Sequence, residues 1–306
     1  MGKLAVAQMT INRLAPSRSL WRQGWQRLLK NKVAVVSGVF IILLSLIAYF
    51  AEYLAPYSFD TTDMSRILEG PSLDHLLGTD SLGRDLLSRI IYGSRMSMAV
   101  GVYSAIISFI LGSVYGAMAG WFGGRIDALF MRLIDILYSI PTVVLMILVK
   151  IVFDEFQFFS DPETKALTSV LAALSVVGWM TLARVVRGQV MQVKQSLYIE
   201  AARAIGAKSH WIVIKHIFPN ILGPIIVLLT FQIPSNILFE SILSFIGLGL
   251  QPPFSSWGVL ASAGWKSLRA FPHLIIAPGV AMFVTMLAFN FLGVGLRDAF
   301  DPKLKK

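Results

Sequence analysis

The chain has 306 residues, 56% of them hydrophobic and only 14% charged, with a formal charge of +10. Soluble domains carry about 25% charged residues, so this chain has too few to wet a compact surface, and it is too hydrophobic for intrinsic disorder. The absence of cysteine excludes a disulfide scaffold, zinc–cysteine sites, iron–sulfur clusters and thiol nucleophiles. What remains is an all-α polytopic membrane protein. Residues 1–32 form a basic arm in which Leu20, Trp21, Trp25, Leu28 and Leu29 stand among cations. That spacing predicts an amphipathic helix on the inner leaflet.

A helix crosses the hydrocarbon core with about 20 mostly apolar residues. Six stretches qualify: 33–54, 96–121, 126–153, 167–190, 221–245 and 273–296. The first is too long for a signal-peptide core, and Ala51-Glu52-Tyr53 offers no small-x-small cleavage site. The third is interrupted by Arg132, Asp135 and Pro141, and the first two are spaced for a local ion pair. Kinks are expected at Pro141 and Pro234. An outer loop at 55–95, a five-helix core over 96–296 and a tail at 297–306 complete the layout.

Of the 27 Lys and Arg residues, 19 fall on the side of the N-terminal arm, while ten of the 17 acidic residues fall opposite. The positive-inside rule then places both termini in the cytoplasm. The same rule accounts for the basic charge without nucleic acid, for which no recognition module is present.

Catalytic signatures are missing. There is no G-x-x-x-x-G-K-[ST] loop, and the one Gly-Lys pair is Gly2-Lys3. His75, His210, His216 and His273 form no H-E-x-x-H pair, and no G-x-S-x-G elbow occurs. A transporter coupled to protons or sodium would need ionisable groups near the midplane. Glu240 lies 21 residues past Pro219, roughly 31 Å along its helix, which predicts a place at the outer mouth. Gln232, Ser235, Asn236 and Asn290 are the polar side chains available to face a path.

The inner connection at 192–220 is too long for a simple loop. The run Leu197-Tyr198-Ile199-Glu200-Ala201-Ala202-Arg203-Ala204-Ile205 predicts a short helix. Gly206 suits a left-handed cap, Ser209 suits the cap of a second helix, and Pro219 is expected to stop it and open the fifth span.

Glu200-Ala201-Ala202, then three residues, Gly206, and thirteen positions later Pro219 closely resemble the EAA loop of ABC importer permeases. The family pattern is EAA-x3-G-x9-I-x-L-P; here His216 and Phe218 stand at the Ile and Leu positions. A second stretch, His75-Leu76-Leu77-Gly78-Thr79-Asp80-Ser81-Leu82-Gly83-Arg84-Asp85, resembles the outer-loop signature of C-type permeases in dipeptide, oligopeptide and nickel importers. Thr79 as a cap and Leu82, Leu86 and Ile90 as a stripe predict a short helix there. Gly120-Trp121-Phe122-Gly123-Gly124, Gly247-Leu248-Gly249-Leu250-Gln251-Pro252-Pro253, Ser256-Trp257-Gly258 and Leu296-Arg297-Asp298 through Leu304 extend the likeness from about residue 20 to the C-terminus.

The resemblance implies a type I importer fold of five core helices and one preceding helix. It implies a homologous second permease, two ATPase subunits and an extracytoplasmic substrate-binding protein as partners. ATP and Mg would be bound by those ATPases, and this chain would need no cofactor or metal of its own. Coupling to the ATPases would fall to Tyr198, Glu200, Ala201, Ala202, Gly206 and Ala207. Peptides are the default substrate, with nickel as the alternative and an autonomous secondary transporter as the rival class. Gly112, Gly116, Gly120 and Gly124 recur every four residues as a close-packing ridge, with a share in a permease dimer wherever it faces another subunit. Ser256-Trp257-Gly258 and Trp265 fit either a re-entrant cap that meets the binding protein or an interfacial tryptophan belt.

Overall fold

The computed structural model describes residues 20–156, 161–251 and 254–300. The beginning of the arm, Pro252-Pro253 and the tail beyond Phe300 lie outside them. Among the described residues the regular structure is helical, with one isolated bridge between Thr79 and Asp85. Besides short turns at Ala51–Leu54 and Met64–Arg66, the helices are α1 (Leu20–Lys30), α2 (Lys32–Tyr49), α3 (Leu86–Phe122), α4 (Gly124–Tyr138), α5 (Thr142–Glu155) and α6 (Pro162–Lys194). They continue with α7 (Leu197–Ala204), α8 (Ser209–Ile212), α9 (Phe218–Phe245), α10 (Trp257–Trp265) and α11 (His273–Phe300).

Five helical stretches are long and apolar enough to cross a membrane; α4 and α5 form a sixth span if counted as one, bent by 95°. The break has a local cause. Pro141 caps α5 without an N–H to give, and a residue before proline is pushed out of the helical region. The interruption is thus a corner rather than a mild kink. Asp135 does not pair with Arg132 as its spacing suggested. It pairs with Arg184 of α6, while Asp127, two turns earlier, takes Arg187. Both carboxylates lie on the α4 face turned to α6, and Ile126, Leu129, Leu133 and Ile136 are exposed away from it.

The second span starts ten residues before the sequence-based boundary. Asp85 accepts the Ser88 N–H at 2.7 Å and caps α3, which then runs unbroken for 37 residues. No separate short helix forms over residues 79–85; the short helical turns before α3 lie earlier, at Ala51–Leu54 and Met64–Arg66. Gly83 sits at φ +70°, with its α-carbon against the Asp63 carbonyl where any side chain would overlap, so residues 78–85 turn instead of coiling. At about 1.5 Å per residue α3 is roughly 55 Å long.

The glycine ridge seals α3 to α6 within the chain rather than against another subunit. A β-carbon at Gly112 would lie 2.6 Å from Leu182 Cβ, one at Gly116 would overlap the Ala183 carbonyl, and one at Gly120 would meet the Arg187 carbonyl at 2.8 Å. Gly124 leaves the ridge and opens α4 at φ +53°. Serines complete the seam: Ser108 Oγ donates to the Ser175 carbonyl at 3.2 Å and Ser175 Oγ to that of Ser104 at 3.4 Å.

α11 runs antiparallel to α9. Gly223 lies beside Phe300 and Gly293 beside Thr230 and Phe231. At the same end α1 packs Gly24 and Leu28 on Phe300 and Ala299, leaving Trp25 and Leu29 exposed. This end, which also carries α7 and α8, is the hairpin end. The opposite, far end holds the loop at 55–85 and α10.

The far end is closed by buried polar groups. Asp80 binds Arg84 and the fully buried Arg89, and His75 Nδ1 lies 3.0 Å from Asp85. Burial opposes ionisation of Asp80. The backbone N–H groups of Arg84 and Leu82 and the nearby guanidinium charges outweigh it, holding the carboxyl below its ordinary value. Trp257 is 1% exposed, so it is a core residue and not part of an interfacial belt. Its backbone N–H donates to Ser97 Oγ at 3.0 Å and its indole to the Ile90 carbonyl at 3.1 Å. Trp265, at the other end of α10, is exposed. Glu240 does not open on a mouth. α10 folds back over it, and Oε1 accepts from Ser244 at 2.9 Å and Ser256 at 2.8 Å in a fully buried setting.

Candidate functional site

The long connection folds as a helical hairpin. α6 ends at Lys194, and α7 follows within three residues. α7 closes on Gly206 at φ +83°: the Gly206 N–H donates to the Arg203 carbonyl at 2.9 Å and the Ala207 N–H to that of Ala202 at 3.0 Å. This pair of bonds is the Schellman closure that a glycine past the helix end favours. The space around Gly206 is open, so backbone conformation alone demands glycine there.

The return arm departs from the sequence reading in two ways. Lys208, not Ser209, occupies the N-cap of α8, and no side chain caps it. Pro219 does not stop the helix either. A π turn at Val213–Ile217 carries α8 into α9, so 209–245 is one apolar helix. The extra residue falls just before Pro219, whose ring would clash with the carbonyl four residues back in a regular α-helix. Asn220 Nδ2 donates to the His216 carbonyl at 2.7 Å and to Tyr198 Oη at 3.3 Å, tying the two arms. His216 stands where the family pattern has isoleucine. It packs on the rings of Trp211 and Tyr198, at 4.7 and 6.3 Å between centroids.

The hairpin has two faces. Ile199, Ala202, Ile212, Ile217 and Ile221 are buried with Leu182, Val186 and Val190 of α6 in one cluster, which fixes the hairpin to the bundle. The opposite face is open: Leu197 is 82%, Ile205 86% and Ile214 70% exposed, with Tyr198 and Trp211 about half so. Glu200, Ala201 and Gly206 are exposed on the same hairpin, Ala207 is half-buried, and Ala202 alone of the six coupling candidates is buried. Contiguous exposed apolar surface with a polar rim marks an interaction site.

The four path candidates separate. Asn236 is buried and donates to the Gly101 carbonyl at 3.2 Å and Ser104 Oγ at 2.8 Å. Gln232 reaches Asn236 Oδ1 at 3.3 Å and fills the space beside Gly178. Both therefore belong to the polar seam between α3, α6 and α9. Ser235 and Asn290 are exposed. Counting from the contact of Gly293 with Thr230, they lie within about 3 Å of the same depth. Among the described residues no cluster of metal-ligating side chains occurs.

Sequence reasoning missed the pairing of Asp127 and Asp135 with Arg187 and Arg184. Two carboxylates on one face of α4 and two cations on one face of α6 were the available signal. It also missed the stack of Arg203 on Trp121, 4.7 Å above the ring, which no spacing announces.

Comparison with known proteins decides the family. Residues 112–306 match the model for the binding-protein-dependent transport system inner membrane component, and residues 19–71 match the N-terminal TM domain of oligopeptide transport permease C. The chain belongs to this family of ABC importer permeases. It is similar to the oligopeptide transport system permease protein OppC of Bacillus subtilis (strain 168), with 39% identity over 95% of this chain and 92% of that one. It is 42% identical to the dipeptide transport system permease protein DppC of the same organism, over 95% of this chain and 88% of that one. With the glutathione transport system permease protein GsiD of Pectobacterium atrosepticum it shares 39% identity over 99% and 98%. The fold resembles a chain of the MetNI methionine ABC transporter in an inward-facing form, with a TM-score of 0.57 at 18% identity over 71% of this chain and 98% of that one. The permease is therefore a C-type subunit with the type I importer fold, a multi-pass membrane protein that carries no ATPase motif.

Proposed function

We propose that this permease forms half of a peptide-translocating path, with both termini cytoplasmic, and that its hairpin seats an ATPase subunit. The observation that carries the reading is the two-faced hairpin. Its inner face is locked into the core, and its outer face leaves Leu197, Ile205 and Ile214 exposed, with Tyr198 and Trp211 about half so. The lack of a phosphate-binding loop in this chain fits a motor on a separate subunit, and the crowding of Lys and Arg at the hairpin end supports a cytoplasmic place for it. The relatives named for oligopeptides, dipeptides and glutathione all handle peptide-like solutes, which supports peptides as the cargo. ATP and Mg stay on the two ATPase partners; a homologous permease supplies the other half of the path, and a binding protein delivers from outside.

In this scheme Tyr198, Glu200, Ala201, Gly206 and Ala207 make or shape the contact with the ATPase. Ser235 and Asn290, exposed at one depth, face the path. Nucleotide and substrate drive the cycle only if they favour different conformations. The test is uptake of labelled di- and tripeptides by vesicles holding the full complex, with ATP and the binding protein supplied, against uptake of nickel. ATP-dependent peptide accumulation is the expected result. Nickel accumulation alone would replace the cargo, and uptake by this chain alone without ATP would replace the mechanism.

A further inference from the structure

We propose that Trp121 is a positioning residue, the joint through which the hairpin moves α3 as a unit; this rests on the import reading above. Trp121 is the penultimate residue of α3, and Gly123 turns the chain away immediately after it. Two cations from two other elements converge on it. Lys194, the last residue of α6, donates to the Trp121 carbonyl, with its ammonium 5.6 Å from the ring centroid. Arg203, on α7 itself, lies 4.7 Å over the same ring. Both distances fall within the range of cation–π attraction. The ring also packs against the cluster that holds Ile199 and Ala202. A displacement of α7 is thereby passed to the end of α3, through Arg203 and through the packing beneath it.

α3 is suited to carry that displacement. It has no proline and no break over 37 residues. Its other end is fastened to the far-end structures by three separate bonds. Ser255 Oγ donates to the Arg89 carbonyl at 2.9 Å, Trp257 Nε1 to the Ile90 carbonyl at 3.1 Å, and the Trp257 N–H to Ser97 Oγ at 3.0 Å. A stiff helix held at one end by the hairpin and at the other by α10 transmits motion between the two ends, beside the continuous helix at 209–245 that also reaches both.

The chain has no cysteine, so a single Leu73→Cys, at a position 97% exposed in the far-end loop, gives an environment-sensitive dye one site in this chain, and the complex without that cysteine, treated alike, supplies the background. The full complex in lipid nanodiscs is trapped with ATP and vanadate, and the dye response is compared with the nucleotide-free state. A clear response is expected with Trp121 and with Trp121→Phe, which keeps a π face. At least a fivefold smaller response is expected with Trp121→Leu and with Arg203→Gln, and the double variant should be no worse than either. ATPase subunits should co-purify in all cases, with basal hydrolysis within twofold. A full response in Trp121→Leu or Arg203→Gln overturns the joint. So does equal loss in Trp121→Phe, which would mark simple packing, and so does loss of the ATPases, which would mark docking. If Trp121→Leu fails to accumulate, Arg203→Gln, on the exposed side of the stack, decides alone. Wild-type uptake without a dye response also overturns the joint, whereas absence of both uptake and response overturns the import reading beneath it.

Discussion

The hairpin end leaves Leu197, Ile205 and Ile214 in the open, whereas the far end buries Asp80, Arg89, His75 and Asp85. Each inverts the usual placement of side chains, and each inversion has its own cost. Exposed apolar surface is tolerable when a partner covers it. Buried charge is tolerable only when paired and hydrogen-bonded. The contrast separates a surface completed by assembly from a region already complete within the chain.

The largest effect should come from breaking the completed region. Asp80→Ala leaves Arg89 buried without its carboxylate, which should cost about 3–5 kcal/mol. A detergent-solubilised melt should show it, with the far-end loop becoming sensitive to protease first. Acid probes the same group. Because the Asp80 carboxyl is held below its ordinary value of 3.8, its contribution is fully present above that value and drains away as pH falls through the lowered one. The wild-type loop should therefore resist protease at pH 5 and loosen only in stronger acid.

Next comes the seam between α3 and α6. Gly116→Val places side-chain carbons where the Ala183 carbonyl and Val186 Cβ already stand. Overpacking of this kind costs about 1–3 kcal/mol, and accumulation in the membrane should fall. Gly206→Val should be milder for the fold, since its surroundings are open, but it strains a left-handed turn by about 1–2 kcal/mol. ATP-dependent uptake should drop several-fold while the protein still accumulates; unchanged uptake would separate the turn from coupling. The smallest effect should be Ser209→Ala. Its side chain caps nothing, so stability should move by no more than about 0.5 kcal/mol. A larger loss would mean that the hairpin end is more tightly specified than its open face implies.

Much of this was legible along the chain. Apolar runs locate the spans because a bilayer demands length, and the Glu200 to Pro219 register locates the hairpin. Gly206 announced its left-handed turn because it follows a run of helix formers. What failed depended on partners far away in sequence. Asp135 chose Arg184 on α6 over Arg132 three residues away, because the corner at Pro141 turns its face to α6. Glu240 was placed correctly along its helix but not in its surroundings, since nothing local says that α10 folds over it. The π turn before Pro219 escaped notice because proline ordinarily reads as a stop. Asn236 looked like a path residue because its bonding partners, Gly101 and Ser104, lie on another span.

The first span carries a different lesson. α2 buries Ala34, Ser37 and Ala48, and Ala34 fits the bare α-carbon of Gly295 on α11. Val36, Val39, Ile42, Leu43 and Leu46 all point outward. Its 18 residues rise about 27 Å, just short of a typical hydrocarbon thickness. Most of this helix is therefore written in a permissive alphabet, where one greasy letter serves as well as another. Its three small letters are fixed by touch, so drift among descendants should spare those positions and blur the rest.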